Sequence, residues 1–175
     1  MDVRAKQRLC YRVAWLLSAC VYSVSPHVNS IVRLLRWAND LSLMNDYIKN
    51  LIPQDKHDVA RVEAAIEAGY PKVAPILPEL LEWLQDINWT VARPLAPFLA
   101  SIGEPLTPHI RHILETDDDI WKYWVLSYVV AESPELAKTF RPEIERFVNS
   151  PTENERAEGL DEIAQEILGK LNGDN

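Results

Sequence analysis

Three groups of side chains in this sequence have the types and spacing to do chemistry. His109 and His112 stand at i, i+3, with Glu115 next on the same helical face and Asp117 nearby. Two imidazoles and a carboxylate could ligate zinc or move a proton. The spacing is not the i, i+4 of helical zinc enzymes, however, and an exposed polar face produces the same string. The second group is Asp86 with Trp89, and Asp117, Asp118 and Asp119 with Trp121. A Trp flanked by carboxylates could hold a basic peptide or an Arg side chain. The other reading is capping carboxylates and rings that seal a seam between helices. The third group is Cys10 and Cys20, both near the N-terminus, so the rest of the chain has neither a disulfide nor a thiol nucleophile. No Gly-rich phosphate loop or Gly-x-Ser-x-Gly elbow occurs. The pattern implies no cofactor.

The elements that must position these residues read as helices with clear punctuation. Asp58 stands as an N-cap before Val59–Ala68, where Val59, Val62, Ala65 and Ile66 form one face and Gly69 supplies the stop. Pro75 and Pro78 open a helix from Ile76 to Leu84, since a proline in the first turn loses no hydrogen bond. Asn88 is a cap for Trp89–Ile102, with Pro94 and Pro97 kinking that helix or delaying its regular start. Pro105 and Pro108 open Leu106–Glu115, and three aspartates precede Ile120–Ala131, where their charge suits the helix dipole. Ser133-Pro134-Glu135 starts a sixth helix, Pro142 marks a break before Glu143–Asn149, and Thr152-x-x-Glu155 is a capping box for a helix running to about Leu171. Between Ile120 and Val130 only Lys122 and Ser127 are polar. A helix apolar on all sides is usually buried, so Trp124, Val125 and Tyr128 are expected in the core, with Lys122 in an ordinary helix ion pair to Asp118 or Asp119.

At 175 residues and 25% charged, the chain suits one ordinary domain. It has no apolar run long enough to span a membrane. The charge is asymmetric. Residues 1–43 hold six cations and two anions, a net of +4, whereas the remaining residues hold 12 cations and 24 anions, a net of −12. We therefore divide the chain into a basic N-terminal extension, 1–43, and an acidic domain, 44–175, with Met44 an alternative start. In the extension a basic stretch to Arg12, the run Val13–Ala19 and the tetrapeptide Leu17-Ser-Ala-Cys20 look signal- or lipoprotein-like, but Arg12 leaves that run short. Farther on, Ile31, Leu34, Leu35 and Ala38 share a helical face that either docks on a surface or covers one end of the domain. The expected location is cytoplasmic, lipid anchoring through Cys20 being the alternative.

Pro75-Ile-Leu-Pro-Glu-Leu-Leu-Glu-Trp-Leu84 aligns with Pro105-Leu-Thr-Pro-His-Ile-Arg-His-Ile-Leu114 at an offset of 30. Asp86-Ile-Asn-Trp89 falls on Asp118-Asp-Ile-Trp121 at 32, and Pro142 and Val148 match Pro108 and Leu114 at 34. A period of that length with two helices per copy signals an α-solenoid. With Asp86, Val91 and Ala92 at the turn and early second helix, the repeats resemble HEAT-like repeats. More narrowly, Leu51–Asp58, Leu80–Trp89 and Asp117–Ser127 resemble an uncharacterised bacterial family of HEAT-like domains, over about residues 45–171. Thr90 departs from that pattern, which has Pro there. The resemblance implies an all-α fold, a short right-handed superhelix of about three hairpins, and carries over no catalytic residue.

The expectation is thus a non-enzymatic protein-interaction module. Its acidic surface, with Asp86, Trp89, Asp117, Asp118, Asp119 and Trp121 at one edge, would engage a basic protein or peptide, in one version as an antitoxin or immunity-like protein. An acidic domain repels phosphates, which disfavours general nucleic-acid binding and a repair-glycosylase role. The rival is an enzyme or metal-binding protein using His109, His112 and Glu115. The oligomeric state is not legible.

Overall fold

The computed structural model describes residues 42–173, among which there is no strand, and the structure is all-helical. The chain divides into two units between Asp46 and Tyr47. The signal-like run, Cys10, Cys20 and the Ile31–Ala38 face all lie outside the described residues.

Nine α-helices follow from Val59: α1 Val59–Ala68, α2 Leu77–Glu82, α3 Ala92–Ile102, α4 Thr107–Leu114, α5 Asp119–Val125, α6 Pro134–Thr139, α7 Arg141–Asn149, α8 Glu153–Ala157 and α9 Leu160–Gly173. The prolines expected to open helices do so, and Pro97 stands inside α3. Short 3-10 turns, Ala74–Ile76 and Glu104–Leu106, lead into α2 and α4, each carrying Pro at its start. Gly69 and Gly103 end α1 and α3 at φ 68° and 70°, a region in which a Cβ would clash with the backbone.

Several local expectations are corrected. Asn88 caps nothing: α3 begins only at Ala92 because the intervening residues form a turn in which Asp86 Oδ1 accepts the Asn88 N–H at 2.8 Å. Asp58 makes no side-chain cap; its carboxylate accepts the Gln54 N–H and pairs with Arg61 at 3.3 Å. The last helix is two, split at Gly159, which takes φ 78° between α8 and α9. Finally, α5 continues as a π-helical turn, Leu126–Val130, closed by the Ala131 N–H donating to Leu126 O at 2.8 Å. A π turn fits an extra residue into the helix. Val125 is fully buried as expected, but Tyr128 is 43% exposed and Ile120 48%, so this segment is not buried all round.

Packing ties helices that are distant in sequence. Helix α1 lies on α3, α3 lies on the π turn, and α9 covers α7, α6, α5 and the π turn. Between α4 and α7, Arg111 ion-pairs with Glu143 and sits over the Phe140 ring, 5.4 Å from its centroid. The core is a single cluster drawing on every helix from α1 to α7 and on α9, with Leu80, Leu95, Leu99, Phe140 and Phe147 fully enclosed. Burying each such side chain contributes about 2 kcal/mol. Thr90, the departure from the family pattern, is 3.3 Å from His57 Nδ1, while Val91 N–H donates to Lys56 O, so the two residues fasten the 53–58 loop to the start of α3.

Candidate functional site

The three aspartates come together at a cleft. Asp117, Asp118, Asp119 and Ile120 form one wall at the start of α5; Asn154, Ala157 and Glu158 of α8 and its C-terminus form the other, around about 590 Å³. Each carboxylate has a different task. Asp118 is the N-cap of α5, its Oδ1 accepting the Trp121 N–H at 2.9 Å. Asp119 turns inward to Lys122 Nζ at 2.7 Å, in a pair whose side chains are only 13% and 7% exposed. The helix ion pair expected of Lys122 is therefore present, at i, i+3 with Asp119, and it lies inside the protein, where removing either partner would strand a charge. Asp117 and Glu158 are exposed and have no ion pair among the described residues. With Ile120 beside them, the cleft offers open carboxylates next to an uncovered apolar side chain.

Glu155, also on α8, is buried. It completes the capping box with Thr152 and accepts from Arg146 at 2.5 Å. Burial would raise its pKa, but the hydrogen bond from Arg146, the Thr152 N–H and the positive charges of Arg146 and Lys122 together hold it below the ordinary glutamate value. The capping box is legible in the sequence; the burial of Glu155 and the approach of Lys122 are not, because they depend on α5 and α8 meeting.

The remaining candidate residues are placed elsewhere. Trp121 donates its indole N–H to Leu81 O of α2 at 3.1 Å and lines a second groove, of about 360 Å³, with Pro78, Leu81, Glu82, His109, His112 and Ile113. The two histidines therefore do share a groove with a carboxylate, but it is Glu82 and not Glu115, which closes the end of α4 and is exposed. No three His, Cys, Asp or Glu side chains gather as a metal-ligand set among the described residues. Asp86 and Trp89 line neither groove. Trp89 meets Trp83 edge-on at 5.6 Å, the geometry of packed aromatic rings. Sequence reasoning missed Glu82, and Asn154, Ala157 and Glu158 of α8 and its C-terminus, since nothing in their spacing marks them as neighbours of residues in helices so far along the chain.

Residues 51–168 match the family described as Domain of unknown function (DUF5071), and the chain belongs to that family. No curated protein matches the sequence. No helix among the described residues is long and apolar enough to cross a membrane.

Proposed function

We propose that this chain is a non-enzymatic protein-interaction module, a short HEAT-like solenoid that binds a basic protein or peptide at the α5–α8 cleft. The observation that carries the reading is that cleft: Asp117, Asp118 and Glu158 surround the exposed Ile120. Such a rim attracts cationic side chains, and an exposed apolar residue within it supplies the desolvated contact from which most affinity comes. The −12 charge of residues 44–175 adds long-range steering. The solenoid reading draws support from the packing of α1 on α3 and α3 on the π turn, with α2 beside α4 and α4 beside α7 at the offsets of the repeat. The edge is narrower than the sequence suggests: Trp121 is committed to α2, and Trp89 to Trp83. An antitoxin or immunity-like role, with a cytoplasmic location, is one form that such binding would take.

Affinity capture from native extract with the full chain tests the reading. The expected result is one stoichiometric basic protein, released by high salt and lost with Asp117→Asn, Asp118→Asn and Glu158→Gln combined; Asn at 118 preserves the helix cap. Retention of no basic protein, or retention indifferent to these changes, overturns it. The enzyme reading rests on a different observation, the grouping of His109, His112 and Glu82 beside Trp121. Two imidazoles and a carboxylate are suited to proton transfer. It predicts binding of a small molecule that His109→Ala and His112→Ala abolish and that the cleft substitutions leave intact.

A further inference from the structure

A further groove lies in neither of these places. It holds about 810 Å³ and runs between the end of α3 (Pro97, Ala100, Ser101), Gly103, Tyr128 of the π turn, and Glu132, Ser133, Pro134 and Glu135 at the start of α6. Its chemistry is divided. Pro97, Ala100 and Pro134 make an apolar floor, while Glu132 and Glu135, both exposed, bring two carboxylates to the rim.

Three features distinguish it from an ordinary surface depression. First, Tyr128 is on a π turn and 43% exposed, at the groove, despite standing in a stretch, Ile120–Val130, where only Lys122 and Ser127 are polar. Second, Ser133 is only 6% exposed and lines the groove, yet its side chain makes no capping bond to α6. Third, a Cβ at Gly103 would lie 3.0 Å from Glu135 Oε2. The glycine thus lets a carboxylate settle over bare backbone.

From these residues we infer that the groove is a seat for a short extended basic segment of the protein partner, with a Lys or Arg side chain laid along Pro97 and Ala100 and its charge between Glu132 and Glu135. This rests on the partner reading above and gives it a second contact. The aliphatic stem of such a side chain suits the apolar floor. Its cationic head suits the two carboxylates, and the Tyr128 ring adds a cation–π contact. The volume exceeds what one side chain fills and falls in the range of sites that hold larger ligands. A peptide segment therefore fits better than a single amine, and the Ser133 hydroxyl, which does not cap α6, would bond to its backbone. Lys170, the nearest cation to Glu132, is 3.9 Å away and half exposed. A ligand can displace it at little cost.

The test is a backbone amide NMR titration of the full chain with a nine-residue peptide alternating Arg and Ala, and with its Glu counterpart. The Arg peptide is expected to shift Ser101, Gly103, Tyr128, Ser133 and Glu135. Tyr128→Ala, and separately Glu132→Gln with Glu135→Gln, should weaken binding at those amides about tenfold. Tyr128→Phe, which keeps the ring, should change it less than about twofold. The Gln pair alters charge and not shape, so binding lost there with an unchanged spectrum elsewhere cannot be a folding defect. Shifts confined to Asp117–Ile120 and Glu158 overturn this second seat and leave the proposed function standing. No shift in either place, with Arg or with Glu peptide, overturns both. Equal shifts from free spermidine at the same amine concentration replace the peptide by a small polyamine and overturn the occupant proposed.

Discussion

At the scale of single residues, burial decides what a charge is for. The aspartates of 117–119 are alike in sequence, yet one is open, one caps a helix and one is held against a buried lysine. Lys122→Met should therefore destabilise the protein by about 3 kcal/mol in urea melts, because it leaves Asp119 inside without a partner. The same reasoning fixes the pH dependence. Glu155 has a folded pKa below its ordinary value of 4.5, so its stabilising contribution is complete above that value and is lost as pH falls through the lower folded pKa. Glu155→Gln should flatten the fall in stability between neutral pH and about pH 3 relative to the natural chain, measured as the denaturation midpoint at each pH. Ser127 gives the opposite case. Its hydroxyl is buried with no hydrogen-bond partner among the described residues, so Ser127→Ala should leave stability equal or raise it by about 0.5–1 kcal/mol. A clear loss in thermal melts would show that the hydroxyl has a partner in solution.

At the scale of elements, punctuation was the most legible property of the sequence. Prolines start α2, α4, α6 and α7, glycines stop α1 and α3, and Thr152 and Glu155 form the capping box, because each acts through its own backbone or that of the next turn. The reading failed where a competing local turn or a packing contact decided. Asp86, two residues away, takes the Asn88 N–H, the start of α3 shifts to Ala92, and the apolar segment after Ile120 changes to a π turn that exposes Tyr128. Gly103 joins both kinds of reason: it ends α3 at φ 70° and makes room for Glu135. Gly103→Ala should cost about 1–3 kcal/mol by chemical denaturation. Gly169→Ala, inside α9 with open space around it, should instead gain about 0.5–1 kcal/mol.

At the scale of the whole molecule, the core is one continuous cluster, and α9 closes it by lying over α5, α6 and α7. Deleting residues 152–175 removes Leu160, Ile163, Ala164 and Ile167 from that cluster, and should abolish cooperative unfolding monitored by circular dichroism. The sequence by itself determined the helical class, the sites of most helix starts and stops, and the acidic character of everything after the first 43. These follow from backbone preference, side-chain periodicity and net charge, which are local or additive. Only the tertiary structure decided that Asp117 and Glu158 would face one cleft, that Glu82 and not Glu115 would join the two histidines, and that Glu132 and Glu135 would flank a groove beneath Tyr128. Those meetings depend on which helix faces pack together, and a helix face with several polar residues does not say in advance which neighbour it will meet.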